Sequence, residues 1–111
     1  MSGQPLCQMI DLDNPGSAGF VLRRGDTVVP LLVVRVGERV LGYVNSCPHI
    51  GAPLDWTSGQ FLNREKSHIL CAIHGALFRL DDGLCVGGPC AGKALTTYHL
   101  VLKGGVVLAA E

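Results

Sequence analysis

Asn45-Ser46-Cys47-Pro48-His49-Ile50-Gly51-Ala52-Pro53 and Cys71-Ala72-Ile73-His74-Gly75-Ala76-Leu77-Phe78-Arg79 each place a thiol and an imidazole two or three positions apart, with a glycine just beyond. Cys47-x-His49 and Cys71-x-x-His74 are separated by residues 50 to 70, 21 positions, so they lie on two loops that have to meet in space if they act together. A shared metal centre is the simplest cause. Two Cys and two His satisfy tetrahedral zinc, and a structural zinc site is the plainest reading of that donor set. In the common finger, however, the cysteines come as one pair and the histidines as another, with a helix between them. Here each loop donates one of each. Such a mixed arrangement can put both thiolates on one metal and both imidazoles on a second, as a two-iron cluster with chemically different ends requires.

Outward from these loops, the pattern is that of short strands. Leu31-Leu32-Val33-Val34-Arg35-Val36 and Arg39-Val40-Leu41-Gly42-Tyr43-Val44-Asn45 are rich in β-branched and aromatic residues, and Gly37-Glu38 between them is a two-residue turn. This hairpin runs straight into the first loop, where Pro48 stiffens the backbone between Cys47 and His49. Phe61-Leu62-Asn63 and Ser67-His68-Ile69-Leu70-Cys71 read as a second hairpin across Arg64-Glu65-Lys66, and Ala76 to Leu80 alternates before a turn at Asp81-Asp82-Gly83. Upstream, residues 5 to 12 predict one strand closed by Asn14-Pro15-Gly16-Ser17. Phe20-Val21-Leu22 resumes extended structure, and Arg23-Arg24-Gly25-Asp26 reads as a turn. Downstream of the breaker Gly87-Gly88-Pro89, residues 96 to 102 and 106 to 108 complete an antiparallel meander. No stretch sustains a 3.6-residue period, and fifteen glycines with six prolines mark many short connections. The expected fold class is all-β, an antiparallel sandwich or barrel.

Composition limits what such a fold could carry. At 111 residues the chain predicts a single domain, 1–111, able to bury roughly two-thirds of its unfolded surface. Nine Lys plus Arg balance nine Asp plus Glu, and 16% of residues are charged, so nothing argues for nucleic acid or an anionic membrane as partner. The start, Met1 to Gln8, lacks a basic region followed by an apolar one, which leads to the expectation of a cytoplasmic protein without a membrane span. Five cysteines is an odd number, and in a reducing compartment metal binding explains them better than a disulfide framework.

The sequence closely resembles the Rieske family of 2Fe-2S proteins. Its two-part signature, Cys-x-His and Cys-x-x-His-Gly, is matched by Cys47-Pro48-His49 and Cys71-Ala72-Ile73-His74-Gly75. The likeness extends to the lead-in from Val44, the Phe78 to Gly83 turn and the Gly88-Pro89 segment, and covers about residues 31 to 108. The spacer is somewhat longer than usual, with the extra residues placed at 58 to 67. The resemblance implies one 2Fe-2S cluster in a small subdomain, on loops 45–56 and 70–80. Cys47 and Cys71 would hold the inner iron, and His49 and His74 the outer iron. Respiratory members carry a further cysteine in each loop, where this sequence has Ala52 and Ile73. They also carry a serine and a tyrosine that bond the cluster sulfurs, where it has Ala76 and Phe78. Without those donors the reduced cluster is less stabilised, which points to the lower end of the family's range, about −150 mV rather than about +300 mV.

The implied activity is that of a Rieske-type ferredoxin: not an enzyme, but a one-electron carrier from a flavin-dependent reductase to a terminal oxygenase or other redox protein, and a monomer. A fixed electron-transfer subunit of a multi-component system and a zinc-stabilised interaction domain are the alternatives. After His49 and His74 only His68 and His99 remain, on separate strand-like segments with no room for the large domain in which oxygenases hold a mononuclear iron by two histidines and a carboxylate. Both read as plain strand histidines. Cys7, Cys85 and Cys90 read as quiet thiols, and Trp56 and Tyr98 as packing residues rather than electron relays.

Overall fold

The computed structural model describes residues 4–46, 54, 61–71, 75–88 and 91–110. Its organising strand is β3 (Thr27–Val36), in which Leu31, Leu32, Val33 and Val34 are buried in succession. Successive strand residues face opposite ways, so such a run has to be covered on both faces. Leu32 and Val34 pack into one core with Tyr43, Leu54, Phe61, Ile69, Cys71 and Phe78. Leu31 and Val33 pack the other way, against Leu22, Met9, Leu12, Val107 and Ala109.

Three layers result. In the middle, β2 (Gly16–Arg24), β3, β4 (Arg39–Val44) and β8 (Thr97–Tyr98) form a four-stranded sheet in that order. On one side lies a sheet of β1 (Gln4–Gln8), β10 (Val106–Ala109) and β9 (Leu100–Lys103), with β10 central. On the other lies a smaller sheet of β5 (His68–Leu70), β6 (Leu77–Arg79) and β7 (Cys85–Gly87). All strand pairs are antiparallel. The expected all-β class and the hairpins at Gly37-Glu38 and Asp81 to Gly83 are present. Among the described residues no helix is long and apolar enough to cross a membrane.

Three details differ from the sequence reading. The segment 5 to 12 is not one strand: β1 ends at Gln8 and Met9–Asp11 winds into a 3₁₀ turn. Met9 and Leu12 are both buried, and a strand would point residues three apart to opposite faces. Arg35 fastens this turn by donating to the carbonyls of Met9 and Leu12, both at 3.1 Å, and of Gly37 at 2.9 Å. Second, β2 extends from Gly16 to Arg24, so the arginines end a strand and the turn itself is Gly25-Asp26. Third, the C-terminal third is not a meander. β8 returns to β4, whereas β9 and β10 join β1, so the first and last strands share a sheet. The segment changes layers because Leu95 is buried in the core beside Tyr43 while Leu100 packs against the two cores on the far face.

Candidate metal centre

The first loop leaves the end of β4. The Asn45 amide donates to the Pro30 carbonyl at 2.9 Å and the Ser46 amide to the Val44 carbonyl at 2.8 Å, which fixes where the chain departs. The Asn45 side chain then accepts the Leu54 amide at 2.8 Å, and Leu54 is fully buried. One amide group therefore ties together the two ends of the loop that carries Cys47 and His49. Those two residues lie outside the described residues, as do Pro48, Gly51 and Trp56.

The second loop is the connection between β5 and β6. The Cys71 amide donates to the Ala76 carbonyl at 2.8 Å, and the Cys71 carbonyl accepts the Gly75 amide at 2.9 Å. These two bonds hold Cys71 to Gly75 and Ala76, and Gly75 has φ +71°, a conformation that favours glycine. Cys71 has no exposed surface and packs among Leu54, Phe61, Ile69, Ala76, Phe78 and Cys85. His74, one position before the closure, lies outside the described residues.

Gly88 forms a third wall. A Cβ built there would stand 2.7 Å from Ala76 Cα, so the segment after β7 lies directly on the exit of the second loop. Pro89, the next residue, lies outside the described residues. Ala76 and Phe78 are completely buried and contribute hydrocarbon where a hydroxyl would stand in a serine and tyrosine pair.

The remaining titratable and aromatic candidates have plainer surroundings. His68 is half-buried on β5, with Nδ1 2.9 Å from Ser67 Oγ, inside a turn organised by Asn63. His99 is exposed and its carbonyl accepts the Ala110 amide. Cys7 sits at a bulge between β1 and β10 and is half-buried rather than buried; burial first, then Asp11, pushes its thiol up from the ordinary value. Cys85 is buried and donates to the Gly87 carbonyl at 3.1 Å, while Cys90 lies outside the described residues. Tyr98 donates to the Ala110 carbonyl at 3.0 Å, a packing role as expected. Among the described residues no three His, Cys, Asp or Glu side chains converge on a metal site, three of the four candidate ligands being outside that set.

Sequence reasoning did not assign roles to Asn45 or Tyr43. Asn45 offered a signal in standing directly between a strand and a liganding loop, where a short amide can bridge backbone groups. Tyr43 offered a polar tip within an apolar strand.

What the described residues present is a thiol sealed inside an apolar core, and the sequence places an imidazole three positions further on. That donor chemistry fits the inner end of a mixed thiolate and imidazole cluster. Residues 3–99 match the Rieske [2Fe-2S] domain, and the chain belongs to that family. The family's domain binds one 2Fe-2S cluster. Among solved structures, the Sphingomonas yanoikuyae B1 ferredoxin superposes with a TM-score of 0.70 at 22% identity, covering 98% of both chains. The ferredoxin of carbazole 1,9a-dioxygenase from Nocardioides aromaticivorans IC177 gives 0.71 at 24%, covering 97% of this chain and 98% of that one. The terminal oxygenase of carbazole 1,9a-dioxygenase from Novosphingobium sp. KA1 gives 0.71 at 22%, covering 96% of this chain but 29% of that one. At these identities the likeness is one of fold. No curated protein sequence matches.

Proposed function

We propose that this chain is a single-domain Rieske-type ferredoxin that accepts one electron from a flavin-dependent reductase and delivers it to a terminal oxygenase or other redox protein. The carrying observation is the full burial of Cys71 at the base of a loop that closes at Gly75. Cys47 and Cys71 would hold one iron as thiolates, and His49 and His74 would hold the other through imidazole nitrogens. The bound cluster supplies reversible one-electron exchange. The chain's own residues orient the ligands, through Asn45 at the first loop and the Cys71, Gly75 and Ala76 backbone at the second, and keep water from the thiolate side. The full-length likeness to two ferredoxins supports a diffusing carrier, which this reading takes to be a cytoplasmic monomer. One similar structure is of a complex between an oxygenase and a ferredoxin. The likeness to part of a terminal oxygenase chain favours a second reading, in which the same domain works as a fixed electron-transfer module.

Absorption and EPR spectra of oxidised and dithionite-reduced protein test the ligand assignment. The expected result is the reduced-state signal of a cluster with unequal ends, lost in Cys47→Ser and Cys71→Ser. A colourless protein holding zinc and no acid-labile sulfide would overturn it. Co-purification in a stable large complex would favour the fixed module over the carrier.

A further inference from the structure

Tyr43 lies on β4, two positions before Asn45, and is 1% exposed. Its hydroxyl donates to the Leu80 carbonyl at 2.8 Å, and its ring lies on Gly83, where an added Cβ would stand 2.9 Å from Cε1. One side chain therefore engages both ends of the turn that joins β6 to β7. Strand β4 leads directly into the first loop, and β6 leads directly out of the second. The two loops belong to different sheets, so their separation depends on what joins those sheets. Burial, then Asp82 and Asp81, pushes the phenol up to about 12 against a lowering influence from Arg39, so the hydroxyl stays a neutral donor across the physiological range.

We propose that Tyr43 is a positioning residue for the cofactor: by pinning the Leu80 carbonyl to β4, its hydroxyl fixes the distance between the two ligand loops and hence the coordination geometry at both ends of the cluster. The inference rests on the ligand assignment proposed above. Tyr43→Phe keeps the ring on Gly83 and removes only the hydroxyl. Tyr98→Phe is the matched control, since it also removes one hydroxyl bond, to Ala110.

The test compares reduced-state EPR g values and the rate of cluster release to an iron chelator in wild type and both variants. Tyr43→Phe is expected to shift the g values and to speed release about five-fold, the factor equivalent to one ordinary hydrogen bond. Tyr98→Phe is expected to match wild type in both. A folded Tyr43→Phe apoprotein that fails to take up iron and sulfide under conditions that load the wild type supports the proposal in the same way. A lower unfolding midpoint with unchanged g values and release rate would show a merely structural tyrosine and overturn it. A wild type without the cluster signal would instead sink the ligand assignment, and this inference with it.

Discussion

Replacing Gly88 by alanine tests whether the segment after β7 walls the second loop. Two costs are readable from the structure. The residue has φ +92°, where a side chain adds about 1–3 kcal/mol of backbone strain. Its Cβ would also stand 2.7 Å from Ala76 Cα and 3.1 Å from both Ala76 N and Cβ, an overpacking worth about 1–3 kcal/mol. The expected destabilisation is therefore about 2–6 kcal/mol. Because the nearest atom is backbone two positions beyond His74, relief has to move the second loop itself. The EPR signal of the reduced protein should change together with stability. Gly87→Ala is the internal control: nothing lies within 4 Å of its Cβ and its φ is not positive, so a shift within about 0.5 kcal/mol is expected. Adding Ala76→Gly to Gly88→Ala removes the Cβ contact but leaves the closer Cα, so most of the loss should persist. Urea midpoints compared at one protein concentration give the ranking, since a bound cofactor takes unfolding away from two states. A Gly88→Ala protein with a wild-type midpoint and wild-type EPR would refute the reasoning.

The midpoint potential should lie near about −150 mV, because the completely buried Ala76 and Phe78 offer no hydroxyl to the cluster; a redox titration above about +150 mV would contradict this. Asp82 is held at about 2, first by the Arg79 guanidinium and then by the Leu84 amide. A depressed carboxyl stabilises the fold above its unfolded value of about 3.9 and loses that contribution as pH falls through about 2. Wild type should therefore be more stable than Asp82→Asn near neutrality, the gap shrinking below about pH 4 and closing as pH falls through about 2, and a gap undiminished at pH 2 would contradict the assignment. Arg35→Lys should destabilise by about 1–3 kcal/mol and speed amide exchange at Leu12, because one ammonium cannot serve the three carbonyls that the guanidinium fork reaches.

The hairpins that lead into and out of the site were legible because β-branched runs and two-residue turns are local signals. Leu31 to Val34 showed a strand, though the cover on both of its faces emerged only from the burial of all four residues. What covers it was not legible. The pairing of β1 with β10 joins residues about a hundred positions apart, and nothing near Cys7 or Val107 announces it. The 3₁₀ turn at Met9 depends on Arg35, a contact across 26 positions that no window around Met9 contains. At the site, residue types and spacing are what propose the donor set, since thiols and imidazoles paired in two loops serve few purposes besides holding metal. The groups that hold the loops closed are backbone atoms, one asparagine amide and a glycine without a side chain, and these carry no pattern of their own.

The division of the proposed ligands between two sheets has a consequence for removal of the cofactor. The first loop leaves β4 in the middle sheet, whereas the second joins β5 to β6 in the small sheet. Strands β5, β6 and β7 have three residues each, too short to be stable without what they pack on. Metal coordination that bridges the loops is also a bridge between the sheets, so its binding free energy stabilises the small sheet before it stabilises the rest. The other two sheets are held by nine- and ten-residue strands and by the pairing of β1 with β10, whose own ladders do not depend on the ligand loops. Apoprotein should therefore lose amide-exchange protection at Ile69, Leu70, Phe78 and Cys85 while Leu22, Leu32, Val33 and Val107 stay protected. The physical basis is that local opening follows local contact, and only the small sheet loses one of its anchors. Hydrogen exchange on holo and apo protein reads this directly. Equal loss of protection across all three sheets would show the cofactor stabilising one cooperative unit, and no loss at β5 to β7 would show Tyr43 and the buried Phe61, Leu54 and Phe78 holding the small sheet unaided.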